Sequence, residues 1–314
     1  MRELTILTGA GINMGISAEC PEARDLIGFT YQKISSNVYH RLPPHVSAMF
    51  SPESFDYILG GLITINLTIE KTKADLARFN VNEQAFLDLF RQSDLQESIV
   101  EALDEIERQL TVSLEQMLGV VNHFDPALDV IGQKYNAVNY YTVNFDALFD
   151  HMIYGPNYKR GRVTTDFWDG YGSLRKDAQA QFSICHLHGD LRYKPNKRTR
   201  YNDPPYRWPV VVVGDSEVKK GIIGSEKALR FYNSRFRGSF SERGPWQDRT
   251  LAIIGFGFRH EDAHIVNAVE HALNNQVYDR VFLYSPENSL AHTPHRYTWV
   301  SPNQLGLRDF LQEL

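Results

Sequence analysis

Short apolar runs alternate with longer amphipathic stretches over much of this chain. Residues 4–8 form a β-rich apolar run that ends in Gly-Ala-Gly, the way a buried parallel strand enters a tight turn. Further strand-like runs fall at 137–143, 182–187, 209–213, 250–254 and 280–284. Helical patterns are predicted at 17–35, with Pro21 near the start, at 225–237 and at 261–275. Strands that alternate with helices predict an α/β fold, a Rossmann-like parallel sheet with helices on both faces.

From about residue 54 to 125 the texture changes. Strand-like runs are scarce and Leu, Ala, Glu, Lys and Gln dominate. Leu95, Ile99, Val100, Leu103, Ile106 and Leu110 recur at helical spacing and define one broad apolar face. The block reads as a helical insertion or cap within one domain spanning 1–314, and its apolar face reads as core rather than ligand site.

Composition narrows the class. The 314 residues are 42% hydrophobic and 23% charged, ordinary for a globular protein with a sizeable core. Lys and Arg total 33 against 38 Asp and Glu, a net charge of −5, so no global attraction to nucleic acid or anionic membrane is expected. A local basic stretch, Lys194, Lys197, Arg198, Arg200 and Arg207, reads as a solvated loop. The two cysteines, Cys20 and Cys185, have no metal-finger spacing. The opening Met-Arg-Glu-Leu-Thr-Ile-Leu carries charges where a signal peptide needs an apolar run, and no segment approaches the ~20 apolar residues of a membrane span. The expected location is the cytoplasm.

The first candidate motif is the turn Thr8-Gly9-Ala10-Gly11-Ile12-Asn13. Glycine permits positive φ and close backbone approach, and such a turn after a first strand can seat a diphosphate on backbone N–H groups and a helix N-terminus. A dinucleotide dehydrogenase would carry an acidic residue about 20 positions on, at the end of a second strand. Glu19, Glu22 and Asp25 come too early and sit in helix-like sequence, which argues against that class and leaves phosphate binding intact.

Three more motifs follow strand-like runs. Thr142-Val143-Asn144-Phe145-Asp146 should lie at the carboxyl end of its strand, where open α/β sheets bind ligands. Helix capping is the plain alternative for Asn144 and Asp146. Cys185-His186-Leu187-His188-Gly189-Asp190 offers two histidines that strand alternation would put on one face. Histidine is the natural general base near neutral pH. His186, His188 and Asp190 also suit part of a metallo-hydrolase ligand pattern, but Leu191 stands where another histidine is usual. Gly255-Phe256-Gly257-Phe258-Arg259, followed by His260, Asp262 and His264, ends a strand in two glycines that can cradle a phosphate or ribose.

In this order the motifs resemble the SIR2-like, sirtuin-related family. The Gly-Ala-Gly turn looks like the family's Gly-Ala-Gly-x-Ser, with Asn13 where Ser is usual. Asn144-Phe-Asp146 is similar to its catalytic Asn-x-Asp, and Leu187-His188-Gly189 to its Leu-His-Gly, in which the histidine is the base. Gly255-Phe-Gly257-Phe-Arg259 resembles a Gly-Tyr-Ser-Phe-Arg-Asp run of the bacterial defence-type branch, and Ser54-Phe-Asp-Tyr-Ile-Leu a helix there. Pro21-Glu22-Ala23-Arg24 is distantly similar to the sirtuin Pro-Asp-Phe-Arg. Sirtuins hold zinc with four cysteines and this chain has two, so the resemblance is to the defence-type branch without the zinc module.

The resemblance implies an NAD glycohydrolase that cleaves NAD to nicotinamide and ADP-ribose in antiphage defence. Asn144, His188 and Asp146 are then the catalytic candidates. Gly9, Ala10, Gly11, Asn13, Arg24, Thr142, Gly255 and Gly257 are candidate NAD-binding residues, with Ser285 near adenosine. NAD is the substrate and no metal is expected. An enzyme that depletes NAD needs restraint, so a homo-oligomer and a separate regulatory or ATPase-type partner are expected, with no membrane and no direct nucleic-acid binding. Three alternatives stay open: a protein deacylase or ADP-ribosyltransferase, a non-catalytic NAD or ADP-ribose binding module, and the metallo-hydrolase.

Overall fold

The computed structural model describes residues 1–20, 118–144, 149, 152, 163–165, 181–189, 212–214 and 216–314. Among these, seven strands form one sheet in which every neighbouring pair is parallel. The strands are β1 (Arg2–Thr8), β2 (Ala137–Thr142), β3 (Val163–Thr165), β4 (Phe182–His186), β5 (Asp248–Ile254), β6 (Arg280–Tyr284) and β7 (Thr298–Val300). The helices are α1 (Gly11–Glu19), α2 (Leu118–Lys134), α3 (Ser216–Ser225), α4 (Lys227–Ser241), α5 (Ala263–Asn274) and α6 (Leu307–Glu313).

The spatial order is β3-β4-β2-β1-β5-β6-β7, so the first strand of the chain lies at the centre. Six of its seven residues are buried, which is why residues 4–8 read as a continuous apolar run rather than an alternating one. Alternation still decides which face each residue serves. Leu4, Ile6, Tyr140, Ile184, Ala252 and Ile254 pack with Ile12 and Ile16 of α1, Phe124, Leu128 and Ile131 of α2, and Phe310 of α6. Leu7, Tyr141, Cys185, Leu251, Ile253 and Leu283 pack on the other face with Ile222 of α3, Leu229, Phe236 and Phe240 of α4, and Ile265 and Val269 of α5. Helices therefore cover both faces, and the fold is α/β and Rossmann-like.

The sheet grows from β1 in two directions, through β2 to β4 and β3 on one side and through β5, β6 and β7 on the other. Right-handed crossovers in opposite directions must put their helices on opposite faces. That is observed: α1 and α2, between β1 and β2, lie on one face, and α5, between β5 and β6, on the other. The reversal falls between β1 and β5, which makes their carboxyl ends the switch point where such sheets bind ligands.

Several expected elements are corrected or incomplete. Helix formation after β1 starts at Gly11, not residue 17, because the turn is short and Ala10 already serves as N-cap. Residues 21–35 lie outside the described set. Of the 209–213 run, Val212 and Val213 are buried but not in a strand; Val212 instead donates its N–H to His188 O at 2.7 Å. The 54–125 block is described only from 118, and that part lies in α2. No helix among the described residues is long and apolar enough to cross a membrane.

Candidate active site at the carboxyl rim of the sheet

The glycine turn and the end of β5 are packed backbone to backbone. Gly9 N donates to Ile254 O at 3.2 Å, and Gly11 N to Gly255 O at 3.0 Å. A Cβ on Gly9 would meet Gly255 O at 2.8 Å, and one on Gly11 would meet Gly255 Cα at 2.8 Å. Close approach is thus the reason for these two glycines, while positive φ belongs to Gly255, at +60°. Ile12 N and Asn13 N turn back to Gly9 O and Ala10 O. The described residues offer no partner to the N–H of Ala10, which is exposed where α1 begins. The donors of Gly9 and Gly11 are used within the protein, so of the three turn amides Ala10 N–H is the one without a partner among the described residues.

The β2 end reaches the same place. Thr142 is fully buried, and its Oγ1 accepts the Asn144 N–H at 3.0 Å, which shapes the turn after β2. Asn144 is 8% exposed, and its Nδ2 donates to Gly9 O at 3.3 Å. The neighbouring β4 end joins in turn: His186 Nδ1 donates to Asn144 O at 3.0 Å. A carbonyl only accepts, so this bond fixes His186 with its proton on Nδ1.

His188 goes elsewhere. Strand β4 stops at His186, and Leu187 and His188 lie in the following turn, which closes on Gly189 at φ +84°. The expected alternation therefore ends before His188, and the two histidines take different partners. His188 is 4% exposed, and its Nε2 lies 3.1 Å from His264 Nε2 and 3.8 Å from Asp262 Oδ1. Asp262 Oδ1 in turn accepts from Lys219 Nζ at 2.6 Å. Asn233 of α4, itself buried, donates to Leu187 O at 3.0 Å and braces the turn that carries His188.

Burial holds the His188 pKa well below the ordinary 6.5, with the Lys219 charge and His264 acting in the same direction. His264 is brought down to about 4, first by burial, then by Lys219, Arg237 and Lys220, against the raising effect of Asp262. Both rings are therefore neutral near pH 7.

The segment linking β5 to α5 supplies this second cluster. After Gly255 the chain passes Phe258 at φ +48°, a backbone region unfavourable for an aromatic residue, then the 3₁₀ turn His260–Asp262. Gly257 is exposed beside Arg259. Ser285, at the end of β6, donates its hydroxyl to Glu287 O. Asn13 is buried in the first turns of α1. Arg24, Asp146 and Asp190 lie outside the described residues.

The structure thus joins Gly9, Asn144 and His186 in one hydrogen-bonded series, and His188 with His264, Asp262 and Lys219 in another, along the same rim. Sequence reading named Asp262 and His264 after the Gly-Phe-Gly run without giving them a role, and passed over Lys219. The available signal was the Asp-x-His spacing directly after the Gly-Phe-Gly run. Among the described residues, no group of three or more His, Cys, Asp or Glu side chains is arranged to hold a metal ion.

The fold and this rim define an α/β protein with a Rossmann-like sheet and a buried asparagine–histidine constellation at its switch point. No protein-family profile matches the chain, and no curated protein matches it.

Proposed function

We propose that this protein is an NAD glycohydrolase of SIR2-like type, with NAD bound across the rim between β1 and β5. The observation that carries the reading is the convergence of the β1, β2, β4 and β5 ends: the Asn144 amide is tied to the first glycine turn, and a neutral, buried His188 lies on the next turn of the same rim. Proximity and orientation of this kind can supply much of the barrier lowering for a bond that breaks slowly in water.

In this reading the diphosphate approaches Ala10 N–H, the turn amide without a partner among the described residues, and the start of α1, the positive end of a helix dipole. Cleavage of the C1′–N bond releases neutral nicotinamide and leaves oxocarbenium character on the ribose. Asn144 orients a ribose hydroxyl or the attacking water. As the water oxygen bonds to C1′, its proton passes to the neutral ring of His188 and then to solvent. The balance is NAD⁺ and water giving ADP-ribose, nicotinamide and one proton. Gly255 holds the β5 turn against α1, and Gly257 faces the other side of the cofactor.

The test is incubation of the purified chain with NAD, with nicotinamide, free ADP-ribose and ADP-ribosylated protein measured separately. Nicotinamide with stoichiometric ADP-ribose supports hydrolysis. Modified protein would move the reading to group transfer. No nicotinamide from the chain, alone or oligomerised, would overturn it. Restraint by a homo-oligomer or a separate ATPase-type partner is part of the same proposal, since unrestrained NAD loss would harm the host.

A further inference from the structure

The contact between His188 and His264 carries chemistry of its own. Two imidazoles whose Nε2 atoms are 3.1 Å apart share one hydrogen. If both Nε2 atoms carried a proton, the hydrogens would collide. If neither did, two lone pairs would face each other. With both rings neutral, one is the Nε2–H tautomer and the other the Nδ1–H tautomer.

His188 can gain a proton only at a ring nitrogen that is free to take one. Were its Nε2 the acceptor from His264, proton uptake there would require breaking the contact. Were its Nε2 the donor, Nδ1 carries the lone pair, takes the proton and leaves the contact intact. His264 then accepts at Nε2 and holds its own proton on Nδ1, a buried atom with no hydrogen-bond partner among the described residues. Asp262 Oδ1, at 3.8 Å from His188 Nε2, lies close to the ring over which the positive charge spreads. Lys219 holds that carboxylate in place at 2.6 Å and tempers its charge.

Resting on the reading of His188 as base, we infer that His264 is its positioning residue: it accepts the His188 Nε2–H, presents Nδ1 as the basic nitrogen, and stays bonded when His188 becomes cationic. The logic is that of a base oriented by a third group, with a histidine in the orienting role. A buried histidine far below its ordinary pKa is reliably neutral but a reluctant base. The bond to His264 and the nearby Asp262 carboxylate offset that reluctance where the cation forms.

The test is nitrogen-15 NMR of histidine rings in the full chain, with His188→Gln used for assignment, alongside steady-state NAD cleavage. Wild-type His188 is expected as the Nε2–H tautomer and His264 as the Nδ1–H tautomer. His264→Phe is expected to release the His188 tautomer and lower kcat roughly 10–100-fold with little change in KM, a fraction of the loss for removing the base itself. In His264→Gln the side-chain oxygen still accepts, so the His188 tautomer persists and kcat stays within about threefold of wild type. The inference is overturned if wild-type His188 carries its proton on Nδ1, or if His264→Phe leaves tautomer and kcat unchanged. A locked tautomer in a chain that releases no nicotinamide would sink the NAD reading and uphold the pairing.

Discussion

Asn144 and Gly9, 135 positions apart in the chain, are joined by a single hydrogen bond from the Asn144 amide to the Gly9 carbonyl. A carbonyl accepts only, so the amide must turn its NH₂ toward the turn, which fixes the side chain without a cofactor present. Asn144→Ala loses this bond, and is expected to lower NAD cleavage by roughly 100-fold or more while changing stability by about 1 kcal/mol. Asn144→Asp keeps the shape but faces a carboxylate against the carbonyl. Urea unfolding should find it less stable than the alanine variant; equal stability would remove the geometric argument.

The two histidines of Cys-His-Leu-His have separable roles because they have different partners. His188→Ala is expected to cost roughly 10²–10⁴-fold in NAD cleavage, with circular dichroism unchanged. His186 serves the backbone of Asn144, so His186→Ala should cost far less. Parallel losses in the two variants, reversed by added zinc, would favour a metal centre instead.

Among the described glycines, Gly255 has the closest backbone against a side chain. Its φ is +60°, and a Cβ there would meet Ile12 N at 2.3 Å and Gly11 C at 2.4 Å. Backbone cannot rotate away as a flexible side chain can. Gly255→Ala is expected to destabilise by more than about 3 kcal/mol, combining left-handed strain with overpacking. Gly257→Ala, with only the Arg259 side chain nearby, should be close to neutral. Thermal melts of both variants check this, and comparable losses would contradict it.

Stability should fall as the solution is acidified from about pH 6.5 toward pH 4. His264 is lowered from 6.5 to about 4, and His188 is lowered as well, each by burial first. Across that window the unfolded chain binds protons that the folded chain refuses, so acid favours unfolding; well above pH 6.5 both states are neutral at these rings and the dependence fades. The His264 contribution is on the order of 3 kcal/mol when fully expressed. Urea midpoints at pH 7 and pH 5 measure the slope, and His264→Gln should flatten it. An unchanged slope in that variant would show that His264 titrates normally.

Sequence reading reached the parts of the fold set by local patterns. The runs at 137–143, 182–187, 250–254 and 280–284 correspond to β2, β4, β5 and β6 within one or two residues, and the helical patterns at 225–237 and 261–275 to α4 and α5. It missed β3 and β7, edge strands of three residues, too short for any period to show. Of the run at 209–213 only Val212 and Val213 are among the described residues, and these two line the core outside any strand. At the site, glycines and histidines were visible as residue types. Which nitrogen faces which partner was not, because His264 meets His188 through a contact 76 positions apart. Nor was the use of the Gly9 and Gly11 amides by β5, since two distant loops had to meet before their hydrogen bonds could be assigned.

Among the described strands, the central one is also the first in the chain. β1 ends at Thr8, yet its two neighbours begin at Ala137 and Asp248. Until the second of these has been translated, one edge of β1 has no strand to bond, and the turn at Gly9 and Gly11 lacks its seat. Such distant pairing slows folding and prolongs exposure of apolar strand edges. Nascent chains stalled short of β5 should therefore depend on chaperones and be readily degraded, so that the rim and any activity it supports arise only once β5 has been translated.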